Sequence, residues 1–173
     1  MTFGALEKRL AFTRGVITYH FKNKEEILHA VLDHAIELIH ESTVANVEQH
    51  QTASDRVRAA IEAVVMGFLG KKEAGIVLIS FWSRILVAPH IADKNAGLYR
   101  RYRRQSASLI DQGKASGEFS QAIDTEVAAA IVVGITIGIV TQVYFEEDAV
   151  DVTRAIKQGG DSVVSWLKSP PPP

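Results

Sequence analysis

This sequence contains no cysteine. It therefore has no disulfide framework, no thiolate nucleophile and no cysteine-ligated zinc site, which fits a reducing cytosol. No apolar segment of the signal-peptide type follows the first methionine. Strand signals are nearly absent, because apolar residues recur at helical spacing almost throughout. With 47% hydrophobic and 23% charged residues among 173, the composition is ordinary for a globular protein. The helical spacing predicts an all-α fold, and we expect a cytoplasmic location.

The chain also lacks a net positive charge, since its formal charge is -1. No global field attracts it to nucleic acid, so any attraction to DNA must come from a local patch. Residues 1–24 supply such a patch, because their only acidic residue is Glu7. Their basic residues are Lys8, Arg9, Arg14, Lys22 and Lys24. A local excess of this kind is typical of a DNA-binding surface.

The stretch from Phe12 to Leu28 reads FTRGVITYHFKNKEEIL. It predicts a short polar helix, followed by a long amphipathic helix with Glu25 and Glu26 in its first turn. A helix-turn-helix places its second helix in the major groove of DNA. For each polar residue of the short helix the alternative is an ordinary solvated side chain. The predicted DNA-binding residues are Thr13, Arg14, Gly15, Thr18, Tyr19, His20 and Lys24.

The letters TRGVITYHFKNKEEIL resemble the recognition helix and the following helix of the TetR/AcrR family of bacterial repressors. The segment from Ala115 to Phe119 resembles the glycine-containing turn that precedes the last helix pair of that family. The resemblance implies a TetR-like fold with an N-terminal helix-turn-helix and a C-terminal ligand-binding and dimerisation domain. It also implies a homodimer on operator DNA, with Thr13 to Tyr19 as the surface that faces bases. The phosphate contacts that it implies are the aromatic pair Tyr19 and His20, and Lys24.

The front of the chain departs from the family pattern. The family has a further helix upstream of the position of Leu6, so the helix-turn-helix here is incomplete. Glu7 and Ala11 stand where the family usually has alanine and a turn glycine, and alanine in a left-handed turn costs about 1 kcal/mol. We expect a rearranged N-terminal region and weak DNA binding, because an N-terminal piece is missing or the start codon was assigned late. The alternative is a dimeric all-α small-molecule-binding protein with impaired or lost DNA binding.

The domain prediction follows from composition and helix signals. Residues 1–24 form the partial DNA-binding region, and a connecting helix covers 24–48. Residues 49–168 form the ligand-binding and dimerisation domain, and 169–173 form a proline-rich tail. Within this body Thr52 or Ser54 caps a helix, Asp124 caps another, and Gly75 interrupts a third.

The run from Val127 to Phe145 carries no charge over a length that could span a bilayer. Its acidic flanks, without a bias in Lys and Arg, argue against a membrane span. Gly134 and Gly138 have the spacing that lets two helices approach closely. We expect a helix buried on one side by its own domain and on the other by a partner chain; a core helix of a monomer is the alternative. The predicted interface residues are Gly134, Gly138, Thr141, Val163 and Trp166.

An unknown small-molecule effector is expected to bind among the middle helices. An arginine beside a tryptophan could hold an anionic or aromatic ligand, whereas the alternative places the aromatic residues in the core. The predicted pocket residues are Phe68, Phe81, Trp82, Arg84, His90, Tyr99, Tyr102 and Gln142.

Two Glu-x-x-His patterns, ending at His29 and His40, match half of a di-metal carboxylate motif. Both patterns lie on one helix, eleven residues apart, so about 16 Å separates them and they cannot share a metal pair. The sequence also contains no phosphate-binding loop or catalytic signature. We therefore predict no metal, no cofactor and no enzymatic activity.

Overall fold

The structure is a computed structural model that describes residues 14–44, 47–83, 87–148 and 150–169. In these ranges it contains only helices, which confirms the predicted all-α class. The seven α-helices are α1 (Arg14–His20), α2 (Lys24–Val44), α3 (Ala53–Gly70), α4 (Lys72–Trp82), α5 (Pro89–Ala115), α6 (Thr125–Phe145) and α7 (Val152–Lys168), and Val47–Gln49 form a short 3₁₀ helix.

Polar side chains begin three of these helices. Asp124 accepts hydrogen bonds from the N–H groups of Glu126 and Val127, which confirms its predicted capping role. Thr52 caps α3, so Ser54 lies inside that helix. Asp151 caps α7 in the same way. These side chains satisfy backbone donors that have no partner within their own helix.

The structure corrects one predicted interruption. Gly75 lies inside α4, where its N–H donates to the carbonyl of Lys71 over 3.0 Å. A β-carbon at Gly75 would lie 1.9 Å from the hydroxyl oxygen of Tyr144. That hydroxyl donates to the carbonyl of Phe68 over 2.7 Å. The glycine therefore lets α6 approach α4 closely and does not end a helix.

Helix α3 is the centre of the body, because it contacts α2, α4, α5, α6 and α7. Its buried side chains contribute to two apolar clusters. The first is formed by the five helices α2, α3, α4, α5 and α6, and it contains, among others, Leu32, Ile39, Val65, Leu78, Ile91 and Val140. The second joins α3, α5, α6 and α7 and contains, among others, Ile61, Ile110, Val132, Val164 and Leu167. Through Leu32 and Ile39, α2 is thus part of the core of the body.

The turn after α5 packs against Gly113 in the last part of that helix. The ring of Phe119 lies against Gly113, where an added β-carbon would be 2.1 Å from the ring atom Cδ2. The N–H of Phe119 donates to the carbonyl of Gly113 over 3.0 Å. Gly117 has a φ of 79°, the left-handed conformation that favours glycine. The predicted helix stop at this segment is confirmed, since α5 ends at Ala115.

Substitution of Gly113 by alanine should destabilise the fold by about 1–3 kcal/mol, because the buried ring of Phe119 would have to move. Gly97 is a matched control on the same helix, since a β-carbon there meets only the end of Arg100 at 3.9 Å. Gly97→Ala should be neutral or stabilise by up to about 1 kcal/mol through helix propensity. Urea unfolding of both variants measures the difference. Equal stability of the two variants would contradict the assigned packing.

The carboxylate of Glu118 caps the N-terminus of α3, although the two are far apart in sequence. It accepts hydrogen bonds from the N–H groups of Ala53 and Ser54 over 2.8 and 3.0 Å, and from the Ser54 hydroxyl over 2.8 Å. Burial alone would raise the pKa of this carboxyl, but the three hydrogen bonds together lower the pKa below its ordinary value. The turn after α5 and the start of α3 are therefore held together by an ionised group.

Substitution of Glu118 by alanine should lower the free energy of unfolding at neutral pH by about 1–3 kcal/mol, because buried N–H groups lose their acceptor. The lowered pKa means that the wild-type contribution is present above the ordinary carboxyl pKa and is lost as pH falls through the lowered value. Urea unfolding from neutral to acidic pH should therefore show the two chains converging in acid. The control variant Glu62→Gln, at an exposed position, should show the same dependence of the unfolding free energy on pH as wild type. A constant gap between Glu118→Ala and wild type at all pH values would refute the role of ionisation.

Candidate functional site

Helix α1 presents polar side chains to solvent. Tyr19 is 85% exposed and contacts the ring of His20 edge-on, with ring centroids 5.1 Å apart. Gly15 and His20 are exposed, and Lys24 is exposed at the start of α2. Of the other predicted DNA-binding residues, Arg14 and Thr18 belong to α1, and Thr13 lies outside the described residues.

The turn between α1 and α2 is held by two reciprocal hydrogen bonds. The N–H of Glu26 donates to Oδ1 of Asn23 over 2.9 Å, and the N–H of Lys22 donates to Oε2 of Glu26 over 2.7 Å. This arrangement is close to a capping box, and the pattern Asn-x-x-Glu at positions 23–26 is its sequence signal. The sequence prediction places Glu26 only at the positive end of the helix dipole and misses this second role. The two bonds hold the backbone of the turn at the start of α2.

Helix α2 is also joined to the start of α5. The imidazole rings of His29 and His90 lie with centroids 4.2 Å apart. One turn further along each helix, the ammonium of Lys94 donates to the carboxylate of Asp33. These two contacts link the N-terminal half of α5 to α2. In the described part of the chain, no group of three or more potential metal ligands occurs.

Two neighbouring cavities lie between the helices of the body. A groove of about 500 Å³ opens between the 3₁₀ helix, α3 and α5. A chamber of about 40 Å³ lies deeper, between α3, α5 and α6. The two cavities share four wall residues, which are Ala60, Val64, Gln105 and Leu109. The chamber is further lined by Tyr102, Ser106, Val132, Val133 and Thr136.

The predicted pocket residues do not converge on this chamber. Tyr102 lines it, whereas Phe68 and Phe81 are buried in the first apolar cluster. Gln142 is exposed and donates to the carbonyl of Gly138 in its own helix. Trp82, His90 and Tyr99 are half-buried, and Arg84 lies outside the described residues. The small chamber residues Ala60, Ser106 and Thr136 were missed, because nothing in their sequence context separates them from core.

Helix α6 has an apolar face that its own chain leaves open. Val127 is 53% exposed and Phe145 is 79% exposed, with Ile131 and Gly134 between them on the same stripe. A β-carbon added at Gly134 or Gly138 would meet nothing within 4 Å. By length and composition α6 is the one described helix that could cross a membrane, which is weak evidence on its own.

The predicted interface residues differ in how exposed they are in the structure. Gly134 is exposed, while Gly138, Thr141 and Trp166 are half-buried. Val163 is only 3% exposed and belongs to the second apolar cluster of its own chain. The expectation for Val163 is therefore corrected, since a side chain buried in the core of its own chain has almost no surface left for a partner.

A polar N-terminal helix on a long connecting helix, followed by a helical body, is the architecture of an all-α transcriptional regulator. Residues 53–168 match the family described as BetI-type transcriptional repressor, C-terminal. The chain thus belongs to the TetR family of transcriptional regulators, as its resemblance to that family predicted. Proteins of this family are generally soluble, non-enzymatic and DNA-binding.

Solved structures share the fold at low sequence identity. A Saccharomonospora viridis protein in complex with choline is 22% identical and has a TM-score of 0.79, with 94% of this chain and 84% of that chain covered. AibR in complex with isovaleryl coenzyme A and operator DNA is 19% identical, with a TM-score of 0.69 and coverage of 98% and 88%. The TetR family regulator PfmR from Thermus thermophilus is 17% identical, with a TM-score of 0.73 and coverage of 95% and 88%. A comparison with curated protein sequences gave no significant match.

Proposed function

We propose that this protein is a ligand-responsive transcriptional repressor that binds palindromic operator DNA as a cytoplasmic homodimer. The observation that carries the proposal is the exposed polar surface of α1, next to the turn that the Asn23 and Glu26 hydrogen bonds hold at the start of α2. A short helix with exposed polar side chains suits a major groove, and Lys24 at the start of α2 would contact a phosphate.

The open face of α6 supports the homodimer. Its exposed apolar side chains would remain in water in a monomer, which is unfavourable by roughly 25 cal/mol per Å². A second copy would cover them, and the absence of a side chain at Gly134 and Gly138 permits close helix approach. A two-fold dimer places two α1 helices on successive grooves, which matches a palindromic site.

The cavities of the body and the contacts of α2 with α5 support a response to a ligand. A ligand shifts a two-state equilibrium only through different affinities for the two states. A molecule bound between α3 and α5 would favour one position of α5, and the His29–His90 and Asp33–Lys94 contacts would carry that position to α2. In AibR, a regulator of the same fold, the structure contains both isovaleryl coenzyme A and operator DNA.

The proposal is tested by fluorescence anisotropy with labelled DNA from the region upstream of the protein's own gene. We expect saturable binding with a stoichiometry of two chains per site, which unlabelled specific DNA displaces far better than scrambled DNA. The sequence departures at the front predict weak affinity, so selection of sites from a random DNA library should accompany the direct titration. If neither experiment enriches a palindromic sequence, the repressor proposal fails and the DNA-free ligand-binding alternative replaces it.

A further inference from the structure

The small chamber contains a buried hydroxyl that lacks a partner. Tyr102 is 4% exposed, and its oxygen makes no hydrogen bond to any part of the chain that the structure describes. An unsatisfied buried polar atom of this kind is uncommon in folded proteins. Burial also raises the pKa of Tyr102 to about 12, so the group stays a neutral O–H donor at physiological pH.

The remaining polar groups of the chamber are neutral as well. Thr136 donates its own hydroxyl proton to the carbonyl of Val133 over 2.8 Å, which leaves its oxygen available as an acceptor. Ser106 lies one helical turn beyond Tyr102. No acidic or basic residue is among the chamber's described wall residues, and Tyr102 is their single aromatic residue.

A charged ligand group fits this environment poorly. Burial of an ion without a counter-charge is strongly unfavourable, and recognition of a quaternary ammonium relies on several aromatic faces. The charged residues that line the outer groove are Glu48 and Arg56. Arg56 is already occupied there, since it donates to the carbonyl of His50 and to Oε1 of Gln112.

Shape limits the ligand further. The chamber volume of about 40 Å³ accommodates a group of a few non-hydrogen atoms. Three of the four shared wall residues, Ala60, Val64 and Leu109, are apolar, and Gln105 is the fourth; this wall adjoins the groove of about 500 Å³. A molecule that fills both cavities must therefore be slender and apolar where it passes this wall.

We propose that the effector is an uncharged, slender molecule whose carbonyl or hydroxyl oxygen accepts a hydrogen bond from Tyr102, while its apolar stem passes between Ala60 and Leu109 into the outer groove. This inference rests on the proposed ligand-responsive function and names the chemical class of its ligand. It separates this chain from the Saccharomonospora viridis protein, whose structure contains the cation choline.

The test uses isothermal titration of the purified full chain with three ligands: methyl hexyl ketone, choline and octanoate. The ketone should bind at least about ten-fold more tightly than either ion. Tyr102→Phe, which removes only the hydroxyl, should weaken ketone binding about five-fold, the size of one lost neutral hydrogen bond. Tyr144→Phe is the matched control, because it removes a tyrosine hydroxyl of α6 that lines neither cavity, and it should bind like wild type. Ala60→Leu should abolish ketone binding, because the larger side chain would fill the space beside the shared wall. If Ala60→Leu misfolds, Gln105→Trp at the exposed rim tests the same point.

Several outcomes would overturn the inference: no ketone binding, tighter binding of choline or octanoate, or equal affinity of the Tyr102→Phe and wild-type chains. None of these outcomes would touch the proposed repressor function, because operator binding and dimerisation are measured without a ligand. Conversely, loss of operator binding with intact ketone binding would remove the repressor proposal and leave the ligand class standing.

Discussion

Gly134→Trp is expected to convert a dimer into a monomer, with the dimer dissociation constant raised at least about 100-fold, or roughly 3 kcal/mol. The reason is the open space above this residue. A β-carbon at Gly134 meets no atom of the described residues within 4 Å, so the indole would project from α6 without disturbing the fold. A partner helix packed on the same face would instead be held away by the added ring. Sedimentation velocity at micromolar concentration measures the change.

Two controls separate the interface from general effects of a large side chain. Glu62→Trp places the same residue on an exposed position of α3, away from α6, and should remain a dimer. Circular dichroism of Gly134→Trp should match that of wild type. A Gly134→Trp chain that still sediments as a dimer would place the partner surface elsewhere, and a monomeric wild type would remove the homodimer from the proposal.

The double substitution of Tyr19 and Lys24 by alanine is expected to lower operator affinity about 100-fold or more. Each side chain is exposed on the surface proposed to face the groove, and each lost charged or phenolic contact accounts for about 1.5–3 kcal/mol. Lys24→Ala alone should also reduce the slope of log affinity against log salt by about 0.9, the value for one phosphate contact. Anisotropy titrations at several salt concentrations give both quantities.

Lys71→Ala is the matched control, since Lys71 is an exposed lysine between α3 and α4 in the body. Its affinity and salt slope should equal those of wild type. Equal losses in Lys71→Ala and Lys24→Ala would mean that binding follows total charge and not the surface of α1. The Gly134→Trp monomer offers a further check, because it should keep contact with a half-site while losing the added affinity of a palindrome.

Features that depend on neighbours in sequence could be predicted well. The helical class followed from apolar spacing, the start of α6 from Asp124, and the end of α5 from the glycines near Gly117, because each is decided within about one helical turn. The same local reasoning was wrong for Gly75, where the need for a small residue comes from Tyr144 on another helix. It was incomplete for Glu26, because only a helix-dipole role was predicted for this carboxylate. Its hydrogen bond from the N–H of Lys22 is equally local in sequence.

The sequence alone determined that the chain is all-α, that a basic segment precedes a helical body, and that the TetR family is the one it resembles. Only the tertiary structure decided which faces of those helices meet. It enclosed Val163 and left Gly134 open, and it brought Glu118 to the start of α3. Among the described residues it left the hydroxyl of Tyr102 without a hydrogen-bond partner, beside a small chamber. The physical reason is that a periodic pattern specifies the apolar side of a helix, whereas the partner of that side is chosen by packing among elements far apart in sequence.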